Sequence, residues 1–182
     1  MSCIVGLVHE GKVYLGGDSA ASDGNTISVI KTPKVWKHGE FVFGGSGKFI
    51  PMSLLKESFE PPAFKEGQSV DKYMITEFLP AYRKLIQEWN YGQKAEDVGE
   101  YTGTGVLVGV RGRLFHIEVA FQTFEVMDEF DADGSGKYHA MGSLYSTAGK
   151  EPRERILEAL RAAEHFMCTV KGPFTIVETA SI

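Results

Sequence analysis

The sequence predicts an α+β fold in which two antiparallel sheets carry helices on their outer faces. Three observations lead there. Short β-branched runs are joined by two-residue turns at Glu10-Gly11, His38-Gly39 and Arg111-Gly112, which is hairpin spacing. Helical periodicity appears in three longer segments only. The order of strands, two helices, strands, one or two helices and a last strand suits outer helices better than a βαβ repeat.

Taken in order, residues 3–9 form a nearly continuous apolar run, and Glu10-Gly11 returns the chain as a second buried strand over 12–17. Residues 19–25 are small and polar and read as a loop. Strands are expected at 26–30 and 34–37, on either side of Pro33, and at 40–43 after His38-Gly39. Gly44-Gly45-Ser46-Gly47 interrupts this pattern. Residues 48–59 then read as a helix, closed by Glu60-Pro61-Pro62. Behind Ser69, a good N-cap, residues 70–89 place Tyr73, Met74, Phe78, Tyr82, Leu85, Ile86 and Trp89 at helical spacing, with a kink expected at Pro80. Residues 91–101 are polar and acidic, an exposed connection. Strands return at 104–110, 113–119 and 124–130. Residues 131–137 read as a hairpin turn, 138–141 as a short strand closed by Gly142-Ser143, 151–167 as an amphipathic helix and 174–177 as a final strand.

Composition sets the outer bounds. A chain of 182 residues is expected to form a single domain over 1–182, burying roughly 70% of the surface its unfolded form exposes. Its 43% hydrophobic and 24% charged content excludes a disordered or fibrous chain. The net charge of −5 argues against nucleic-acid or anionic-membrane partners, which are bound through Lys and Arg. Cys3 and Cys168 have neither framework nor ligand spacing, which fits a reducing compartment. No apolar run is long enough to span a bilayer and no signal peptide opens the chain, so a cytoplasmic protein is expected.

Several motif-like stretches fail on inspection. Gly44-Gly45-Ser46-Gly47-Lys48-Phe49 lacks the first glycine of a phosphate loop, at Val42, and its Ser/Thr, at Phe49. Asp131-Ala132-Asp133-Gly134-Ser135-Gly136 opens like a calcium loop, but its twelfth position is Gly142. No metal or cofactor is implied. A Ser-His-Asp hydrolase using Ser143 and His139 stands only as an alternative. The better constellation is Ser2 with Asp18 and Lys34. A hydroxyl is a poor nucleophile until a base takes its proton, and an α-amine, with an ordinary pKa of about 7.7–8.0, suits that role. Lys34 would tune the amine and Asp18 would hold Lys34.

This arrangement resembles the N-terminal nucleophile (Ntn) hydrolase superfamily, specifically proteasome β-type subunits and the HslV peptidase, over nearly the whole chain. Ser2-Cys3-Ile4-Val5 is similar to the family's Thr-Thr-Ile-Val start, and Gly16-Gly17-Asp18 to its Ala-Gly-Asp. Asn25 followed by Lys34-Val35 matches its Asn and Lys-Val, and Phe43-Gly44-Gly45-Ser46-Gly47 its Ala-Gly-Phe-Ala-Gly. Met141-Gly142-Ser143 resembles its Ile-Gly-Ser, with Leu144 where a glycine is common, and Phe174-Thr175-Ile176 its last strand.

The resemblance implies a four-layer αββα sandwich in which Ser2, freed of Met1, attacks a peptide carbonyl with its own α-amine as base. Asp18 and Lys34 would tune that base, the Gly47 N–H would stabilise the oxyanion and Ser143 would support the amine. His165 stands where the family has a supporting aspartate. Ala20, Ala21 and Ser22 would pair with an extended peptide, and Thr32, Trp36 and Val42 would line the specificity pocket. The family further implies a homo-oligomeric ring, peptide or unfolded-protein substrates and an ATPase unfoldase partner. The alternatives are a catalytically inactive subunit with a scaffold role and a small-molecule amidase or acylase.

Overall fold

The computed structural model describes residues 1–91, 93–95 and 99–180. The opening hairpin pairs β1 (Ile4–His9) with β2 (Lys12–Gly17), turning at Glu10 and Gly11, whose φ values of 48° and 73° match the positive φ that a two-residue hairpin needs. Strand β12 (Phe130–Asp133) adds to the free edge of β1, and β13 (Thr175–Glu178) to that of β2, giving an antiparallel sheet in the order β12-β1-β2-β13. A second antiparallel sheet takes β5 (Val35–His38), β6 (Phe41–Gly47), β9 (Thr104–Val110), β10 (Arg113–Ile117) and β11 (Thr123–Glu125) in the order β11-β10-β9-β6-β5. Two small hairpins complete the strands, β3 (Ala20–Ser22) with β4 (Ile27–Val29) and β7 (Gln93–Ala95) with β8 (Gly99–Tyr101).

Three apolar layers hold these elements together. Ile4, Val13, Leu15, Val35, Val42, Leu107 and Leu114 pack between the two sheets. Helices α1 (Phe49–Glu57), α2 (Val70–Tyr73) and α3 (Leu79–Glu88) cover the five-stranded sheet through Tyr73, Met74, Phe78, Tyr82 and Ile86. Helices α4 (Lys137–Ser146) and α5 (Pro152–Phe166) cover the other through Ala140, Leu144, Ile156, Leu160 and Ala163. The result is the four-layer αββα sandwich, as predicted.

Several local expectations are corrected. The glycines 44–47 do not interrupt a strand; they continue β6 to Gly47, paired with β9 as far as Thr104. They are small because neighbours come close: a Cβ on Gly44 would sit 2.5 Å from Ile4 Cγ2. Residues 131–133 are strand β12 rather than a turn, paired Ile4 to Asp133, and residues 138–141 lie in helix α4 rather than a strand. Here tertiary packing on α5 overrides local pattern. The loop over 19–25 begins with strand β3, and the strand expected at 124–130 divides between β11 and the start of β12. The long helix over 70–89 carries a π-turn at Met74–Phe78, where the Leu79 N–H reaches back to the Met74 carbonyl just before Pro80, which has no N–H to give. In the connection over 91–101 the structure shows β7 and β8; residues 92 and 96–98 lie outside the described residues.

Leu15 is fully buried between the sheets. Leu15→Ala is therefore expected to cost about 2–5 kcal/mol in equilibrium urea unfolding, whereas Met127→Ala, at a side chain 99% exposed, stays within about 0.5 kcal/mol.

Candidate active site

The first strand begins at Ile4, so Ser2 and Cys3 lead into the edge where β1, β2 and β12 end together. Asp18 follows the last residue of β2 and is 1% exposed. A carboxylate so deep must be satisfied locally. It is: Oδ1 accepts from the Cys3 N–H at 3.0 Å and from Lys34 Nζ at 2.8 Å, and Oδ2 accepts from the Ala20 N–H at 2.9 Å and the Lys171 N–H at 3.4 Å. Lys34, immediately before β5 and 2% exposed, donates a second hydrogen bond from Nζ to Ser2 Oγ at 2.9 Å. Ser2 Oγ in turn donates to the Met1 carbonyl at 2.7 Å. Asp18, Lys34 and Ser2 are thus joined in one buried line.

Electrostatics follow from that burial. Desolvation pulls the Lys34 ammonium below its ordinary pKa, with Asp18 opposing through charge and hydrogen bond. Burial, and next the Lys34 charge, likewise hold the Met1 α-amine below its usual value, against Asp18. The neighbouring Cys3 thiol is pushed up to about 12, chiefly by burial and then by Asp18, so it stays protonated and inert beside Ser2.

The Ser2 carbonyl is clamped from the opposite side. It accepts from the Gly136 N–H at 3.2 Å and Ser135 Oγ at 3.2 Å, and Ser135 Oγ also meets Thr169 Oγ1 at 2.8 Å. Only glycine fits at 134, where φ is +92° and a Cβ would lie 2.3 Å from the Ser2 oxygen. Gly47 closes β6 at φ +103°, a Cβ there meeting the Gly103 carbonyl at 2.2 Å, and the chain leaves it directly into α1.

Beside Lys34, a cleft of about 330 Å³, mouth included, lies between the approach to β5 and one face of α1. Thr32 and Trp36 line it. Phe49, Met52, Ser53 and Lys56, at helical spacing on α1, line it too. Val42 does not: it is fully buried in the layer between the sheets. Ala20, Ala21 and Ser22 form β3, but the Ala20 N–H is already taken by Asp18.

Two further expectations are corrected. Ser143 lies within α4, where its carbonyl accepts from Thr147 Oγ1 at 2.8 Å, and among the described residues no hydrogen bond links it to Ser2. His165 is exposed near the end of α5, edge-on to Phe166. The groups that reach Ser2 from this side are Ser135 and, through it, Thr169. The missed signal was Gly134-Ser135-Gly136, which carries the trailing glycine that Gly142-Ser143-Leu144 lacks. The alternative Ser143/His139 pair does not form either, since His139 stacks on Phe166 at 5.0 Å. Among the described residues no group of three or more His, Cys, Asp or Glu could hold a metal ion, and no helix is long and apolar enough to cross a membrane.

The fold is that of proteasome-like, HslV-type Ntn chains. BPH of Thiobacillus denitrificans superposes with a TM-score of 0.78 at 16% identity, over 99% of this chain and 98% of its own. The same protein in complex with epoxomicin gives 0.79 at 16% identity, over 99% of each chain. HslV from Trypanosoma brucei gives 0.69 at 16% identity, over 97% of this chain and 98% of its own. No family model matches the sequence.

Removing one partner of a buried ion pair strands the other. Asp18→Ala is expected to destabilise the protein by about 3–5 kcal/mol, and adding Lys34→Met should restore part of that loss, as read by a double-mutant cycle of chemical unfolding.

Proposed function

We propose that the protein is an Ntn hydrolase that cleaves peptide bonds, with Ser2 as the nucleophile once Met1 is removed. The observation that carries this reading is the buried line from Asp18 through Lys34 Nζ to Ser2 Oγ. An ammonium donating to a hydroxyl stabilises the alkoxide that forms as the proton leaves. Removal of Met1 would give Ser2 a free α-amine, the nearest base to its own hydroxyl. Oγ then attacks the carbonyl carbon of the substrate, the new C–O bond forms, and the hydroxyl proton passes to the amine. Negative charge gathers on the former carbonyl oxygen, facing the Gly47 N–H; such donors contribute about 2.7–4 kcal/mol to lowering the barrier. The C–N bond breaks as the leaving amine takes up the proton. Water, deprotonated by the same α-amine, hydrolyses the Ser2 ester and frees the enzyme.

The substrate would lie extended along Ala21 and Ser22 on one side and Gly47 on the other, its side chain entering the cleft of Thr32, Trp36, Phe49 and Met52. Assembly into a homo-oligomeric ring served by an ATPase unfoldase belongs to this reading, supported by the likeness to HslV and by the exposed Tyr138, Tyr145 and Phe166 on the outer helices.

Turnover of a fluorogenic peptide panel tests the proposal: Ser2→Ala and Lys34→Met should each lower it by more than about 10³-fold, while Ser2→Thr, which keeps a hydroxyl beside the amine, should remain active. Unchanged turnover in Ser2→Ala would overturn it. The pH dependence follows from the base. The freed Ser2 amine accepts a proton only when neutral, so kcat should rise with pH as that amine, with an ordinary pKa of about 7.7–8.0, is deprotonated, and level off above it.

A further inference from the structure

Behind the Ser2 centre lies a second buried polar group that the reaction above does not use. His116 on β10 and Asp131 on β12 are buried, and Asp133 lies beside them, so the group joins the two sheets. His116 Nδ1 and Asp131 Oδ2 are 2.7 Å apart, and His116 Nε2 and Asp133 Oδ1 are 3.8 Å apart. The other Asp133 oxygen accepts from Ser46 Oγ at 2.6 Å, the length of a charge-assisted bond. We propose that Asp133 and His116 are positioning residues, setting the Gly47 N–H against Ser2 by way of the Ser46 hydroxyl; this rests on the function proposed above.

Three observations carry it. Ser46 directly precedes Gly47, while Asp133 directly precedes the Gly134-Ser135-Gly136 clamp on the Ser2 carbonyl. A single hydrogen bond therefore ties the strand bearing the oxyanion donor to the segment that clamps the carbonyl of the nucleophilic residue. The seat of the Asp133 carboxylate is cut into β9: Gly105, paired with Ser46, would place a Cβ 2.1 Å from Asp133 Oδ2, so any larger residue would displace it. Finally, His116 stands where its ring faces both carboxylates, Nδ1 toward Asp131 and Nε2 toward Asp133. Burial disfavours the His116 cation, but the Asp131 hydrogen bond and the charges of Asp131, Asp133 and Glu118 together outweigh it and raise its pKa. Among the described residues, the group also meets the Ser46 hydroxyl on β6, the Ala132 N–H on β12 and the Phe124 ring on β11, none of them charged.

The geometry matters because an oxyanion donor is effective only where the developing charge appears, and a shift of about 1 Å can cost 10²-fold in rate. The test uses epoxomicin labelling of the full-length protein, followed by intact mass to give kinact and KI, together with hydrogen exchange of the peptide covering Phe41–Gly47. Asp133→Ala and Ser46→Ala should each lower kinact by about tenfold or more with KI within about twofold, and should speed exchange across Ser46 and Gly47. Asp133→Asn, which keeps an acceptor for Ser46, should recover most of the wild-type rate. Wild-type kinact and unchanged exchange in a folded Asp133→Ala would overturn the inference. If the wild-type protein takes no label, the functional reading fails instead, and the exchange comparison alone decides whether Asp133 fixes Gly47.

Discussion

A lysine ammonium withdrawn from water is the constraint to which the centre of this molecule answers. Lys34 is 2% exposed, and removing such an ion from water costs several kcal/mol unless partners replace its hydration. Asp18 supplies the counter-charge and Ser2 Oγ the second acceptor. Asp18 in turn is held by backbone N–H groups from Cys3, Ala20 and Lys171, three segments remote from one another in sequence. Satisfying one buried cation therefore fixes the start of the chain, the end of β2 and the approach to β13 in a single arrangement. That arrangement also leaves a polarised hydroxyl at residue 2.

The sandwich makes such a site affordable. Its two sheets meet through a layer of Ile4, Val13, Leu15, Val35, Val42, Leu107 and Leu114, and the ends of β1, β2, β6 and β12 converge at one border of that layer. Strand ends are where backbone groups lose their ladder partners, so N–H groups at Gly136 and Cys3 are free to hold side chains and carbonyls. Glycine is required where these ends press closest, at Gly47 and Gly134. The cleft beside them arises because α1 begins at once after Gly47 and turns Phe49, Met52, Ser53 and Lys56 toward Thr32 and Trp36.

Much of this was legible in the sequence. The hairpin of residues 4–17, the helices over 48–59 and 151–167 and the trio Ser2, Asp18 and Lys34 could be read because each depends on local pattern or on a residue type out of place in an apolar strand. What was misread depends on contacts between distant segments. The glycines of β6 look like a break until Ile4 and Met52 are seen pressing on them. Asp131 and Asp133 look like turn residues until His116, on the other sheet, pairs with them. Met141-Gly142-Ser143 resembles a family segment by sequence alone, whereas what brings Ser135 to the site is the carbonyl of Ser2, a contact across 133 residues. Val42 was assigned to the pocket although strand alternation turns it inward between the sheets.

The central claim is that residue 2 becomes a nucleophile with its own amine beside it. A peptide epoxyketone closes a ring only on a 1,2-amino alcohol, a group that Ser2 presents only after Met1 is gone. Intact mass measured before and after exposure to such a probe reports both events at once. The account predicts a species lacking Met1 that gains one probe mass with no group lost, and a Ser2→Ala protein that gains none. A protein that keeps Met1 and stays unlabelled, or a Ser2→Ala protein labelled like the wild type, would contradict it.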